Sequence, residues 1–599
     1  MRTVPHATRN SAPRAVQAGV AAVLLLVILV MGSLYALLSG VSTATAELDR
    51  KRDGATAVAL RQAKEALIAY AATRPTRPGA LPCPDLDNNG IAGGAGVYGN
   101  NSEAIPGGIH GGFNCPDGGR QIGRLPWATL ALPDLRDASG ERLWYVMSGN
   151  FRNDGSQIVN SDSLGQLSLG GVAPAAGVVA IIFSPGTALA GAGQNRSGAG
   201  VNDLVQYLEG GNADLDPNFV AAQRCEQAAP ACPLGPFNDQ FVTITHAELF
   251  DAVENVVAKR LETEIGPLLR FYRDRWAALG GPGFYPFAVP FMSPGLPGGP
   301  PSPDLFCGVS PTASGLLPVS QGAGCMSLSA IPTVIDTGTG SGTVDAGTIC
   351  SLAPAGQPDS TRILAVVCTV NYTGGPFGVP NVRIPFTAQQ AAMTLAVPIE
   401  PAAALPNEPG KIRYGPNPVY AGPIWGSINS QSLDTASGNL NFEYRGTLPL
   451  VGPGISGSVT ITFPLYAAQT RFQQTAGVDT SWFFNNEWYR DAYYAVVPKR
   501  LPGGVGPPWC TVGGDCLTVL NAPGTNNDKQ VALLLSGRAI NGIARPTAIF
   551  ADYFEGDNDE AAVLPAVPGT FVRQLRSNTF NDKVVVVAPC APPGPSPCP

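Results

Sequence analysis

Charge is scarce in this sequence. Of 599 residues only 14% are Asp, Glu, Lys or Arg, against roughly 25% in ordinary soluble domains. The net charge is −7, and no basic patch is interleaved with aromatic residues. That removes the electrostatic footprint a nucleic-acid partner needs. Histidine is scarcer still: of three, only His110 and His246 lie beyond the N-terminal region. A Ser-His-Asp or Cys-His site therefore has few possible bases. There is no G-x-S-x-G elbow, P-loop, H-E-x-x-H or dinucleotide fingerprint, and nothing singles out a glycosidase pair of carboxylates. The absence of C-x-x-C argues against zinc. The expectation is a protein that is not an enzyme and that has no resident cofactor, Ca²⁺ apart.

Glycine and proline are abundant, 72 and 57 residues. They favour many short strands and turns over helix bundles. One stretch differs. From Ala18 to Val41 there is no charged residue, and its centre is "VAAVLLLVILVMGSLYALL". That is long enough to cross a bilayer of about 30 Å. Arg2, Arg9 and Arg14 precede it; Glu47, Asp49, Arg50 and Lys51 follow. The positive-inside rule then predicts a single-pass inner-membrane protein, N-terminus cytoplasmic, with a periplasmic or extracellular head. A cleaved secretory signal ending at Ala44-Thr45-Ala46 is the rival reading.

All twelve cysteines follow this stretch. They fall in close successive pairs: Cys83 and Cys115, Cys225 and Cys232, Cys307 and Cys325, Cys350 and Cys368, Cys510 and Cys516, Cys590 and Cys598. Short local disulfides formed in an oxidising compartment are expected.

The apolar stretch leads into "TAELDRKRDGATAVALRQAKEALIAYAATR", with no proline until Pro75. Val58, Leu60, Ala63, Leu67, Ile68 and Ala71 recur at helical spacing. The spacing predicts one helix from Val20 to Thr73, about 80 Å long, apolar all round in front and amphipathic behind. Gly54 is the place for a bend.

The head echoes itself. "VVAIIFSPGTALAG" from Val178 parallels "QVALLLSGRAING" from Gln530, "YLEGGNAD" from Tyr207 parallels "YFEGDNDE" from Tyr553, and "FNDQFVTIT" from Phe237 parallels "FNDKVVVVA" from Phe580. Order is kept, as in a duplication. Glu209, Asn212, Asp239, Glu555, Asn558 and Asp582 suit strand-end caps better than catalysis. Between the units, Thr245 and Glu248 form a capping box that opens a helix over 246–279. "TRILAVVCTVNY", "LNFEYRGTLPL" and "SGSVTITFPLY" predict an inserted antiparallel β-sandwich-like domain.

The fold class expected is therefore α+β: a long N-terminal transmembrane and amphipathic helix, then a β-rich head with an internal duplication and the inserted β domain. The segments are a basic leader over 1–17, the helix over 18–74 with its membrane span at about 18–41, and a first head part over 75–290. A Pro/Gly linker over 291–306, the inserted domain over 307–470, the second unit over 471–588 and a Pro-rich tail over 589–599 follow.

"LPCPDLDNNG", residues 81–90, has the spacing of a calcium loop. Asp85, Asp87 and Asn89 offer side-chain oxygens, Gly90 a sharp turn, and Ile91 a carbonyl. Gly96 stands where an EF-hand needs a bidentate Glu, which argues against a sensor. A loose Ca²⁺ clamp and an Asx-rich turn pinned by Cys83 both remain. Further on, Trp127 or Trp144 with Asp134, Asp137 or Glu141 suggests a carbohydrate site. The alternative is a compact corner of paired Arg124, Arg136 and Arg142. "SWFFNNEWYRDAYY" from Ser481 suits a core seam or an adhesive patch.

"QAGVAAVLLLVILV", "QAKEALIAYA" and "LPCPDLDNNG" together resemble the type IV pilin and pseudopilin superfamily, especially minor pilins of the PilX type. Leu24 stands where major pilins carry Glu. The resemblance implies leader cleavage between Gly19 and Val20. It also implies a structural role as a minor pilin or pseudopilin of a type IV pilus or type II secretion-like assembly. Partners would be other pilin-like subunits or secretion machinery, met through the N-terminal helix, and the membrane. The other expectation is a membrane-tethered binding protein or adhesin, with a glycan or protein ligand on the inserted domain.

Overall fold

The computed structural model describes residues 14–93, 122–278 and 480–588 with short breaks, and a set of segments, mostly strands, between 283 and 466. Helix α1 runs from Arg14 to Thr73, 60 residues without interruption. It contains no proline, and a Cβ at Gly54 would meet nothing, so the helix continues through that position. Ala59, Leu60, Ala63, Leu67 and Ala71 are buried. Their spacing makes one stripe, which packs on the helix His246–Arg260 and on the strands Ala175–Ser184 and Gln240–Thr245.

The expected membrane span over 18–41 is corrected by the structure. Among the described residues, no helix is long and apolar enough to cross a membrane. The uncharged stretch does not end as an element of its own. It is one section of a rod that runs on through Glu47, Asp49, Arg50, Lys51, Arg52 and Asp53. The transmembrane part of the expected fold class falls with it, as does the single-pass inner-membrane localisation. The fold is mixed helix and sheet.

The head holds two units built alike. In the first, β1 (Ile122–Arg124), β2 (Trp144–Met147), β4 (Ala175–Ser184) and β6 (Gln240–Thr245) form antiparallel ladders, with β2 and β6 flanking β4. Beside them β3 (Leu167–Gly171) pairs with β5 (Asn218–Ala221) in parallel. In the second, β18 (Ala492–Val496) and β22 (Lys583–Ala588) flank β20 (Val531–Leu535), again antiparallel. Here β19 (Thr518–Leu520) pairs with β21 (Thr570–Val572) in parallel. Alternation sorts the side chains by face. Tyr145, Met147, Ile182, Tyr494, Leu533 and Val585 enter a shared central core. Trp144, Val146, Phe183 and Tyr207 form a satellite core on the first unit. Tyr493, Leu534, Val584 and Tyr553 form its counterpart on the second.

The central core also takes the helix that follows β6. Thr245 and Glu248 make the capping box, and α2 runs from His246 to Arg260. A π turn, Leu261–Ile265, follows, then α3, Gly266–Ala278. Pro267 has no N–H to continue the α-helical ladder, and the local register widens there. Leu249, Val253, Val257, Leu261, Ile265 and Leu269 are all buried.

A short strand, β7 (Ser314–Leu316), joins the sheet of β18. The inserted segment then supplies β8 to β17, running from Ser327 to Tyr466. Its pairings are antiparallel, but the strands form one ten-stranded hydrogen-bonded sheet rather than two. Cys225–Cys232 and Cys510–Cys516 are disulfides, the chemistry of an oxidising compartment. Cys83 is disulfide-bonded as well. Cys350 and Cys368 lie opposite each other in the pairing of β11 (Ile349–Pro354) with β12 (Arg362–Thr373). Cys115, Cys307, Cys325, Cys590, Cys598 and the tail lie outside the described residues.

Candidate functional site

The rod and its seat are the first part of the candidate site. Near the front of α1, Leu26, Leu29 and Met31 are 64%, 63% and 64% exposed. The rear is held by packing and by polar ties. Lys64 meets Glu248 at 2.5 Å. Asp53 accepts from Gln240 at 3.0 Å and from Arg224 at 3.3 Å. The Thr56 hydroxyl accepts from the Ala138 N–H. Gly19 and Val20, the expected cleavage point, lie in the first turns of α1.

The junction loop comes next. Asp85 is buried. Its Oδ1 accepts backbone N–H groups from Asp87, Asn88 and Asn89, and its Oδ2 accepts from Gly90 at 2.6 Å. Asn89 Oδ1 takes the Ile91 N–H at 2.8 Å, and Asn89 Nδ2 donates to Asp87. The oxygens proposed for Ca²⁺ are thus turned largely onto the loop's own backbone, as in an Asx turn. Burial raises the Asp85 carboxyl to about 6, against the lowering pull of the Gly90 and Asn88 N–H groups. From outside, Arg142 donates to the carbonyl and side chain of Asn88, whose φ is 67°. Arg142 and Arg136 both grip Asp134. Burial pushes Asp134 up, but the two guanidinium groups hold it below its usual range.

The proposed carbohydrate residues serve this corner. Trp144 is buried at the edge of a cleft, with Arg124 4.2 Å over its ring and 4.0 Å over that of Tyr207. Asp137 accepts from Ser139, Glu141, Ser184 and Gly186. Glu141 pairs with Arg196. A cleft of about 480 Å³ opens beside them, lined in part by Asp85, Arg124, Asn202 and Asp203. Trp482 and Trp488 are fully buried, which makes the aromatic stretch a core seam.

Each unit also carries the same polar knot. Glu209 accepts the N–H groups of Asn238 and Asp239, and Asp239 returns the favour to the Glu209 N–H and the Asn212 amide. Asn212 bonds Val220 in β5 through both its oxygen and its nitrogen. In the second unit Glu555, Asp582, Asn558 and Val572 repeat the pattern. Arg196 lies over Tyr207 and Arg545 over Tyr553, each at 4.7 Å.

A buried charge cluster joins the units to α2. Glu254 is wholly buried; it accepts from Ser161, from the Arg538 N–H and, at 2.9 Å, from Arg576. Arg545 pairs with Asp162 at 2.8 Å. Burial raises Glu254 to about 7 despite Arg576. Burial, with Arg538 next, lowers His246 to about 4. Local sequence reasoning missed this cluster, because its members come from segments up to hundreds of residues apart. The one signal was Glu254 on the helix's apolar stripe.

No family model, curated relative or solved structure matches this chain.

Proposed function

We propose that this protein is a pilin-like structural component, a minor pilin or pseudopilin of a type IV pilus or type II secretion-like assembly, acting by packing and not by catalysis. One observation carries the reading: a continuous helix whose rear is seated in a large head while its front presents Leu26, Leu29 and Met31 to solvent. Burying one such side chain is worth about 1.5–3 kcal/mol, so the uncovered front favours a partner surface. Rods of other subunits fit it. A rod that meets a different face of its neighbour makes a heterologous contact, and such contacts propagate into filaments. The knots and the Arg-rich corner fit a head that must stay rigid.

The test is assembly. The full chain should co-purify with pilin subunits, and mature protein should begin at Val20. Leu29→Glu should abolish co-purification and leave the unfolding midpoint of the head unchanged. A chain that stays monomeric in the presence of those subunits, with Leu29→Glu behaving like wild type, sinks the proposal.

A further inference from the structure

The twin knots leave a buried carboxylate oxygen unexplained in each unit, beside the unpartnered Oδ1 of Asn238 and of Asn581. Asp239 is 6% exposed and Asp582 2%. Oδ2 of each is used: in Asp239 by the Glu209 N–H at 3.1 Å and Asn212 at 3.0 Å, in Asp582 by the Glu555 N–H at 2.9 Å and Asn558 at 3.1 Å. Oδ1 of each is buried with no donor facing it. Within reach of each Asp lies the carboxyl of the opposing Glu, 209 or 555. Two carboxylates in contact repel, and a buried acceptor without a donor costs about 1–3 kcal/mol. One proton removes both penalties. A neutral Asp turns Oδ1 into a donor, and the facing Glu accepts it, as in other carboxyl pairs that share a site.

A bound cation would need more converging oxygens. The neighbouring Asn238 and Asn581 turn away to other loops, donating to the carbonyls of Thr187 and Arg538. The Glu209 carboxylate is occupied by two backbone N–H groups and Gln194.

We propose that each unit of the head retains one proton, shared between Asp239 and Glu209 in the first and between Asp582 and Glu555 in the second. We further propose that the loops these pairs tie together stay closed only while it is held, so that a rise in pH loosens both units. Burial, then the facing Glu, pushes both Asp groups well above the ordinary carboxylate range. The charged groups around the pairs differ. In the first unit Arg196 shares Gln194 with Glu209. In the second, Arg545 and Arg576 act on Glu555, and Lys583 follows Asp582 in the chain. A group whose folded pKa is raised stabilises fully below its unfolded pKa, and that contribution is lost as pH rises through the folded value. The loss therefore starts near 4 and runs upward.

The experiment is urea unfolding of the full chain between pH 5 and 9, for wild type, Asp239→Asn, Asp582→Asn and the double variant. The Asn amide donates where the acid proton did and does not titrate. Each held proton makes the folded-to-unfolded ratio of wild type fall up to tenfold per pH unit within its window. Each single variant should remove one such factor from the slope and the double variant both. Variants that keep the wild-type slope overturn the proposal. Should a variant fail to fold, difference titration of native against urea-unfolded wild type decides. The native chain should hold at least two more protons at pH 7, and fewer than two overturns the proposal.

Discussion

Asp85 shows how one side chain can satisfy a whole turn. Its two oxygens collect four backbone N–H groups from Asp87 to Gly90, and Gly90 completes the turn at φ 87° with the Trp127 ring against it. A Cβ at Gly90 would lie 2.4 Å from that ring. Gly90→Ala should therefore cost about 2 kcal/mol or more, from the positive φ and the overlap together, measured as a lower urea midpoint. With Asp85 and Asn89 already occupied by N–H donors, added Ca²⁺ should leave the thermal midpoint where EDTA leaves it. A calcium-dependent rise would instead establish a clamp. The spacing of Asp85, Asp87 and Asn89 was legible in the sequence. The direction their oxygens face was not, because it depends on Arg142, Asp134 and Trp127 brought in from beyond the loop.

At the scale of elements, α1 has two halves with different physics. Leu67 is fully buried in the seat. Leu67→Ala should cost about 2–5 kcal/mol of head stability, seen in denaturant unfolding, whereas a front-face change should not touch the head at all. Periodicity revealed the rear stripe, because only one face of that half meets the sheet. It did not reveal a membrane span: an uncharged stretch is a local property, and the helix containing it is much longer and charged beyond it. The helix over 246–279 was legible from its capping box and stripe. The π turn was not, although Pro267 marks it, because a proline signals a break and the packed core instead keeps α2 and α3 in one path.

For the whole molecule, the decisive feature is two like units closed over shared helices and tied by buried charge. Arg576 reaches Glu254 on α2 from the second unit, and Ser161 reaches it from the first. Removing one partner of a buried pair costs about 3–5 kcal/mol. Arg576→Ala should show that loss at pH 8 and less of it at pH 5. Glu254 titrates at about 7, and its raised value means that the neutral form is the tolerated one: its contribution is intact below its ordinary range and lost as pH rises. Urea unfolding at both pH values checks the sign. A larger penalty at pH 5 would refute the assignment.

By itself the sequence determined what depends on neighbours along the chain. The rod, the capping box, the close pairs Cys225–Cys232 and Cys510–Cys516 and the echo of Y-[LF]-E-G with F-N-D all follow from spacing, since helix pitch, strand alternation and short loops are local geometry. Only the tertiary structure decided which oxygens meet which donors and that Glu254, Asp162 and three arginines form one buried cluster. It also brought Asp239 onto Glu209 and Asp582 onto Glu555. Those contacts join distant segments, and their energies come from desolvation and charge at short range, which no one-dimensional pattern encodes.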